Sequence, residues 1–299
     1  MDPGISKGRL CALFGKTRQG WYDERHRSND REAEEYFVLN QVLKLRKIHK
    51  KMGAVKLRLL MDQQIEEHQI KIGRDKFYDL LRRYQLLVKR HRRYVRTTDS
   101  DHPYIKYPNI AKEVVLTKPC QLWVSDITYL REKDRFVYLS LITDAYSKKV
   151  VGWALWPTLS SQGPLKALQM AIAKEKPTAS LIHHSDRGVQ YCCHEYVNEL
   201  KDNNIGISMT ERGDPYENAI AERMNETFKV EYELAETFES FDQAQAVTRQ
   251  AIETYNNLRP HLSCGLLTPN QAHQQQGPLP QMWKKKRYKK QNHSPEMQS

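Results

Sequence analysis

Apolar and polar residues alternate differently in the two parts of the chain, and the change predicts a helical first part and an α/β second part. In the first part, apolar side chains recur every three or four positions, which is typical of amphipathic helices. Residues 5–27 predict two short helices around Gly15, with Leu13 and Phe14 packed inward. A long helix is predicted over residues 30–50, acidic at its start and basic at its end, as the helix dipole favours.

A second helical pair follows, over residues 54–68 and again after Gly73. In the later helix, apolar side chains at i, i+3, i+4 and i+7 predict a face packed on a core: Phe77, Leu80, Leu81 and Tyr84. Four basic residues lie elsewhere on this helix: Arg74, Lys76, Arg82 and Arg83. The arrangement is typical of a helix-turn-helix, whose second helix enters the DNA major groove. An ordinary helical hairpin with a solvated basic face fits the pattern equally well.

A strongly basic stretch, KRHRRYVR, comes directly after this hairpin at residues 89–96. Such an arm typically tracks phosphates and carries little sequence information. The residues that we expect to contact DNA here are Lys89, Arg90, Arg92 and Arg93. The residues that follow are polar and contain two prolines, so a linker is predicted over 99–112.

The second part begins with three strand-like runs that are rich in β-branched and aromatic residues. They are separated by short gaps, which favours antiparallel hairpins. Further elements are a helix near 163–174, a strand at 181–183, a helix near 193–203, a strand near 205–209 and long helices at 219–236 and 240–258. Three strands followed by alternating helices and strands predict an α/β fold, with a mixed five-stranded sheet flanked by helices.

Charge is distributed unevenly along the 299 residues. The net charge is +12, made up of +11 over residues 1–110, −4 over 111–283 and +5 over the tail. Basic ends around an acidic middle favour a polyanionic partner, because each neutralised phosphate releases condensed counterions. No run reaches the ~18 apolar residues that a membrane helix needs. Five scattered cysteines without a C-x-x-C pair are typical of free thiols in a reducing cytoplasm.

Three acidic residues stand where charge is unexpected or where an element begins. Asp126 lies inside an apolar strand, Asp186 follows the short apolar strand, and Glu222 lies near the start of a helix that Asn218 is placed to cap. A carboxylate in the middle of a strand is costly unless it is paired or binds a metal. Two Mg²⁺ ions about 3.5–4 Å apart, held by a few carboxylates, are a common device for moving phosphoryl groups. Spacing alone does not establish such a site, because acidic pairs of this separation arise by chance.

The sequence around these residues is more specific than their spacing. The segments WVSDITYL, HHSDRGVQY and DPYENAIAERMNETFK resemble the three signature blocks of DDE-type insertion-sequence transposases. More closely, they resemble the second-reading-frame (OrfB) product of the insertion sequence three family. YNNLRPHLSCGLLTPNQA at 255–272 is similar to the closing block of that family, and two N-terminal segments are similar as well. The resemblance covers nearly the whole chain.

This resemblance implies an RNase H-like integrase core, preceded by a small all-α helix-turn-helix region. It implies that Asp126, Asp186 and Glu222 are catalytic metal ligands, and it implies a basic residue seven positions after the glutamate, here Lys229. We expect Lys229 to hold a DNA phosphate; a surface salt bridge to Glu226 or Glu233 is the alternative. Arg187 is expected either to contact phosphate or to pair with a nearby acid. The expected domains are a helical DNA-binding region (1–98), the linker (99–112), the core (113–275) and a basic tail (276–299).

The function implied is Mg²⁺-dependent cleavage and strand transfer at insertion-sequence ends, with two ions that Mn²⁺ can replace. Double-stranded DNA, further copies of the chain and an upstream-frame partner, or a frameshift fusion with it, are the implied partners. We expect a bacterial, cytoplasmic, nucleoid-associated location and no membrane. Two other functions remain open: a non-enzymatic DNA-binding repressor, and an RNase H-like nuclease that cleaves RNA–DNA hybrids without joining strands.

Overall fold

The computed structural model describes residues 6–88, 102–177, 180–211 and 217–282, and it leaves aside the side chains of residues 7, 10, 21 and 24–30. The chain divides into two compact units, Met1–Arg93 and Tyr94–Ser299. No helix in the described part of the chain is both long and apolar enough to cross a membrane.

The first unit is helical. Its helices are α1 (Lys7–Leu13), α2 (Arg18–Ile48), α3 (Ala54–Leu60), α4 (Asp62–Glu67) and α5 (Arg74–Arg83). Apolar side chains from α2 to α5 form one core, which includes Val38, Leu57, Met61, Phe77, Leu80 and Leu81. The order α3–α4, turn, α5 agrees with the helical pair predicted from the sequence.

Three expectations about this unit are wrong. Residues 18–48 form one continuous helix rather than a short helix followed by a long one, since the side chain of Thr17 caps its start and no Gly or Pro interrupts it after its first turn. Leu13 and Phe14 are 77% and 74% exposed rather than packed inward. Tyr84 is 54% exposed, because α5 ends at Arg83 and the helical spacing stops there.

The second unit contains the sheet and the helices that cover it. Its strands are β1 (Leu122–Glu132), β2 (Arg135–Asp144), β3 (Val150–Trp156), β4 (Ile182–Ser185), β5 (Gly206–Met209) and β6 (Thr237–Phe238). Its helices are α6 (Gln162–Glu175), α7 (Val189–Cys192), α8 (His194–Asp202), α9 (Ala219–Glu231), α10 (Phe241–Leu258) and α11 (Pro269–Ala272).

In the described residues, the strands form a six-stranded mixed sheet. Its order is β3-β2-β1-β4-β5, and β6 pairs with β1. The pairs β1–β2 and β2–β3 are antiparallel, while β4 and β6 run parallel to β1. The mixed, helix-flanked sheet of an RNase H-like fold is therefore confirmed, with the two-residue strand β6 added to the five predicted strands.

Helices cover both faces of this sheet. Even-numbered residues of β1, such as Leu130, pack with α9 and α10, while odd-numbered residues, such as Trp123, pack with α6, α7 and α8. Gly152 of β3 lets α6 approach closely, since a Cβ there would overlap the Ala167 carbonyl oxygen. The sheet is thus a rigid layer with α9 held firmly against the central strand.

One edge of β1 has two different strand partners. β2 occupies the other edge along its length, while β4 pairs at Leu122–Val124 and β6 pairs at Arg131–Glu132. Between these two pairings, no strand pairs with residues 125–130 on that edge within the described part of the chain. The interruption lies beside Asp126.

Candidate active site

Asp126 lies in the middle of the central strand and is almost fully buried, with 4% exposure. Its Oδ1 accepts a hydrogen bond from the backbone N–H of Ile127 at 2.9 Å, and its Oδ2 accepts one from the side-chain amide of Asn225 at 2.9 Å. The Asn225 side chain comes from α9, so this contact joins the helix to the strand. Hydrogen bonds to a carboxylate also fix its direction, which a metal ligand requires.

Asp186 follows the end of β4, the parallel neighbour of β1. The parallel register pairs Val124 with His184, and both aspartates follow two residues after this last pair. Neighbouring strands lie about 4.8 Å apart, so continuing the register leads to the expectation that Asp186 lies near Asp126, although 60 positions separate them. The Asp186 Oδ1 accepts a hydrogen bond from the Gly188 backbone N–H at 3.0 Å, which turns the chain sharply after the strand.

Glu222 lies in the first turn of α9 and is partly buried. Asn218 occupies the N-cap position, but the predicted capping by its side chain is wrong. Instead, its amide donates to the Ser125 carbonyl oxygen at 3.1 Å and ties the start of α9 to β1. Three residues after Glu222, Asn225 contacts Asp126, and residues three apart share a helix face. Glu222 therefore lies on the side of α9 that faces the central strand.

Lys229 lies one further turn along the same helix face. Its Nζ is 4.0 Å from the ring centroid of Tyr129. Glu226, the salt-bridge partner considered from the sequence, instead pairs with Arg223 at 2.9 Å. Burial lowers the pKa of Lys229, and the nearby Asp126 carboxylate opposes that shift. Lys229 is thus a partly buried cation beside the carboxylates.

The two histidines before Asp186 belong to the core. The imidazole of His183 shares a 2.9 Å hydrogen bond with the Tyr196 hydroxyl, and burial lowers the pKa of His183 to about 3, so the ring is neutral. The imidazole of His184 shares a 2.9 Å hydrogen bond with the Ser208 hydroxyl on β5. These contacts favour a structural role for both rings.

The residues predicted to contact DNA lie in several places. Arg187 is partly buried, and its Nε has no hydrogen-bond partner among the described atoms. The four basic residues of α5 are all exposed: Arg74, Lys76, Arg82 and Arg83. Arg82 pairs with Asp79, and Arg83 pairs with Glu35 at 2.7 Å. Lys89, Arg90, Arg92 and Arg93 lie outside the described residues, as do residues 212–216 of the loop before Glu222 and the tail from 283.

Arg259 and His261 make structural contacts at the end of α10. Arg259 is 3% exposed, and its guanidinium donates two hydrogen bonds of 2.8 Å to the Glu231 carboxylate. The ring of His261 packs edge-on against Tyr255, with centroids 5.3 Å apart. These contacts anchor the closing segment of the chain to α9 and α10.

A second cluster of ionisable groups lies apart from the carboxylates. Among the described residues, Cys120, Glu175 and His273 form the one group of three potential ligands whose donor atoms all lie within 4.8 Å of one another. Glu175 already accepts from Lys149 at 2.8 Å and from His273 at 2.9 Å. Burial alone would raise the Glu175 pKa, but these hydrogen bonds outweigh it and lower the pKa to about 2. The cluster is therefore a satisfied ionic network that ties α11 to α6 and β3.

The base of the loop before Glu222 is held by a lysine. The Lys112 Nζ lies 3.0 Å from a Glu211 oxygen and 2.8 Å from a Glu217 oxygen, and these bonds raise the pKa of Lys112 to about 12. A pocket of about 370 Å³ opens beside this pair, between β1 and the start of α9. The two glutamates flank residues 212–216, so Lys112 fixes both ends of that loop.

The sequence singled out the acidic residues but missed the amides that hold them. Neither the hydrogen bond from Asn225 to Asp126 nor the contact of Lys229 with the Tyr129 ring was predicted. The sequence did contain one signal, since Asn225 lies three residues after Glu222 and so shares its helix face.

Comparisons with protein families, individual proteins and solved structures found several matches. Two family models, both described as integrase core domain, match residues 117–215 and 203–269. The insertion element IS600 uncharacterized 31 kDa protein of Shigella sonnei is 32% identical over 264 residues, which cover 87% of this chain and 96% of that protein. Transposase InsF for insertion sequence IS3A of Escherichia coli strain K12 is 36% identical over 193 residues, 64% of this chain and 67% of that protein. The HTLV-2 integrase catalytic core domain in complex with magnesium matches at 19% identity and a TM-score of 0.42, over 52% of this chain and 97% of that chain.

Proposed function

We propose a two-metal mechanism for this chain, which belongs to the insertion sequence three family of DDE-type transposases. As a member of that family it is a polynucleotidyl transferase that acts in DNA transposition and integration. The finer proposal is that Asp126, Asp186 and Glu222 are the ligands of two divalent ions. The observation that supports it is the parallel register of β1 and β4, whose last pair, Val124 with His184, comes two residues before each aspartate.

The donor set fits hard divalent cations. Three carboxylates offer oxygen ligands, which Mg²⁺ prefers, and they come from β1, the end of β4 and α9. Among the described residues, only Cys120, Glu175 and His273 have donor atoms that all lie within 4.8 Å of one another, so the oxygens of the three carboxylates are spread more widely. A wider spread suits two metal ions about 3.5–4 Å apart, because each ion takes only some of the ligands. Mn²⁺ takes similar oxygen ligands and is expected to replace Mg²⁺.

The ions would neutralise charge on the scissile phosphate, activate the attacking water or 3′-hydroxyl and stabilise the leaving oxygen. The residues of the chain position the ligands and the DNA. Asn225 holds the Asp126 carboxylate in one direction, and Asn218 fixes the start of the helix that carries Glu222. Because these groups are already in position before the DNA binds, the reaction step needs little free energy to reorganise the site.

DNA contacts are proposed on both sides of the carboxylates. Lys229 is placed to bind a phosphate beside Asp126, and the side-chain Nε of Arg187 is a donor without a described partner next to Asp186. In the first unit, the exposed basic residues of α5 and the arm that follows it are proposed to bind double-stranded DNA at the element ends. Substitutions there are expected to weaken binding without changing the chemistry.

The assembly and location are proposed on family grounds. Two DNA ends and a target must be held together, which favours a multimer of this chain. The upstream-frame product, separate or fused by frameshifting, is proposed to supply further end recognition. A transposase of this kind works where bacterial DNA lies, in the cytoplasm at the nucleoid.

The test is cleavage and joining of labelled end DNA from the element that encodes the chain, with Mg²⁺ or Mn²⁺ and with or without the upstream-frame product. Wild type is expected to nick and join. Asp126→Asn, Asp186→Asn and Glu222→Gln are expected to bind DNA and do neither. The matched controls Asp202→Asn and Glu239→Gln change exposed carboxylates in the same unit and are expected to retain both steps.

A measurement without DNA separates metal binding from catalysis. Mg²⁺ or Mn²⁺ is expected to raise the melting temperature of the wild type and of both controls, and to raise it much less in the three carboxylate variants. Full strand joining by one of these variants would remove that residue from the ligand set. Cleavage of RNA–DNA hybrids without any joining would favour a nuclease instead.

A further inference from the structure

Two large aromatic side chains stay exposed at the end of the β1–β2 hairpin. Tyr129 is 48% exposed and Phe136 is 44% exposed, and their ring centroids lie 5.1 Å apart in an edge-to-face arrangement. They share the sheet face on which Trp123 packs under the helices, but they lie beyond the part that those helices cover. Aromatic rings left uncovered at this end of a sheet are available to a ligand.

Each ring has a cation beside it. The Lys229 Nζ lies 4.0 Å from the Tyr129 centroid, and the Arg131 guanidinium carbon lies 5.6 Å from the Phe136 centroid. Aromatic faces alternating with cations are the elements of single-strand nucleic-acid sites, in which bases stack on rings and cations follow the phosphates. We name Tyr129, Arg131 and Phe136 the hairpin patch.

The hairpin patch lies near Asp126 along the strand but on the other face of the sheet. Tyr129 is three residues from Asp126, about 10 Å, which equals roughly three stacked nucleotides, and side chains three apart on a strand point to opposite faces. The edge of β1 between its pairings with β4 and β6 joins the two faces, and there Lys229 of α9 reaches round to the Tyr129 ring, with its Nζ 4.0 Å from the ring centroid. Asp126 is 4% exposed under α9, so its carboxylate is reached only by a DNA phosphate that comes close to the protein surface. A single DNA strand can approach more closely than a duplex, and unpairing also exposes base faces that are hidden in a duplex.

We propose that the hairpin patch is a stacking site for unpaired nucleotides of the DNA end, next to the phosphate bound at the carboxylates. This inference rests on the proposed function for the location of that phosphate. The patch itself contributes binding and positioning, not chemistry. A purely structural reading makes the two rings an ordinary cross-strand pair that stabilises the hairpin, and the test distinguishes the two.

The test measures binding of the full chain to end DNA by fluorescence anisotropy without divalent metal. One DNA is fully paired, and the other has three unpaired terminal nucleotides carrying 2-aminopurine, whose fluorescence falls on stacking. Tyr129→Leu and Phe136→Leu keep apolar bulk but remove the ring. Each is expected to weaken binding of the unpaired end about 10-fold, to lose the fluorescence change and to leave duplex binding unaltered.

Conservative variants keep the test interpretable. Tyr129→Phe and Phe136→Tyr retain a ring and are expected to bind the unpaired end as wild type does, while Leu159→Ala removes an exposed apolar side chain elsewhere in the unit and serves as control. Wild-type binding by the leucine variants would overturn the proposal, as would equal losses for paired and unpaired DNA. The binding assay contains no metal and does not depend on catalysis. Failure of the wild type to cut and join DNA in the separate activity assay would therefore count against the proposed function alone.

Discussion

Replacing Asn225 by Asp tests the contact between α9 and the central strand with almost no change of shape. The substitution exchanges a donor for a second carboxylate 2.9 Å from the Asp126 Oδ2. At an effective dielectric constant near 20, two charges at that distance repel by about 6 kcal/mol. Protonating one of them at pH 7 costs less, about 4 kcal/mol for a carboxyl with an ordinary pKa near 3.9. We therefore expect a destabilisation of about 4 kcal/mol at pH 7.

The pH dependence of this loss has a definite sign. Repulsion raises the pKa of the carboxyl pair in the folded protein, so the destabilisation is present above the unfolded pKa and shrinks as the pH falls. At pH 5 the cost of protonation is only about 1.5 kcal/mol. Mg²⁺ is expected to reduce the difference in unfolding free energy between the wild type and Asn225→Asp at pH 7, because a divalent cation offsets both negative charges.

Urea unfolding at pH 7 and pH 5, followed by tryptophan fluorescence, measures both losses, since Trp123 is fully buried three residues from Asp126. Asn257→Asp makes the same chemical change on an exposed part of α10 and is expected to cost less than about 1 kcal/mol. A loss below 1 kcal/mol for Asn225→Asp at pH 7, or an equal loss at both pH values, would refute the reasoning. A loss that Mg²⁺ leaves unchanged would count against Asp126 as a metal ligand.

Three further substitutions test the packing around the site. Gly152→Ala is expected to lower stability by about 3 kcal/mol, since the added Cβ meets the Ala167 carbonyl oxygen, which lies in the helix backbone and cannot move aside; an unchanged melting temperature would contradict this. Arg259→Met is expected to cost about 3–5 kcal/mol because it leaves Glu231 without its buried partner, whereas adding Glu231→Met should recover most of that loss in urea unfolding. Glu175→Gln is expected to cost about 3 kcal/mol at neutral pH. Because the Glu175 pKa is lowered from 4.5 to about 2, this difference should be complete above about pH 4.5 and vanish towards pH 2; a constant difference between pH 7 and pH 2.5 would show that the ionised group is not its cause.

The sequence predicted the sheet well because its strands are apolar runs bounded by turns. The carboxylates were identified because Asp126 interrupts such a run and because the sequence segments around all three residues resemble those of insertion sequence three transposases. Strand β6 escaped prediction, since two residues carry no periodicity. The continuity of α2 was not predicted, because Ser28, Asn29 and Asp30 are residue types that favour turns and helix caps over helix interiors.

Contacts between distant segments were beyond the sequence for a different reason. The hydrogen bond from Asn225 to Asp126 joins residues 99 positions apart, and no local spacing encodes it. The ionic network around Glu175 likewise draws on three segments, each of which looks like solvated surface when read alone. Only the register of the sheet and the packing of helices against it bring such groups together.

Among the described residues, the stretch of β1 between its pairings with β4 and β6 gives the sheet a seam beside the buried Asp126. Backbone groups at a seam have lower free energies of local opening than those inside a continuous ladder. The side chains of Asp126 and Asn218 hydrogen-bond to the backbone of Ile127 and Ser125, where the ladder is interrupted. Hydrogen exchange is therefore expected to be faster along this short edge than in β2, which pairs with a neighbouring strand on both of its edges.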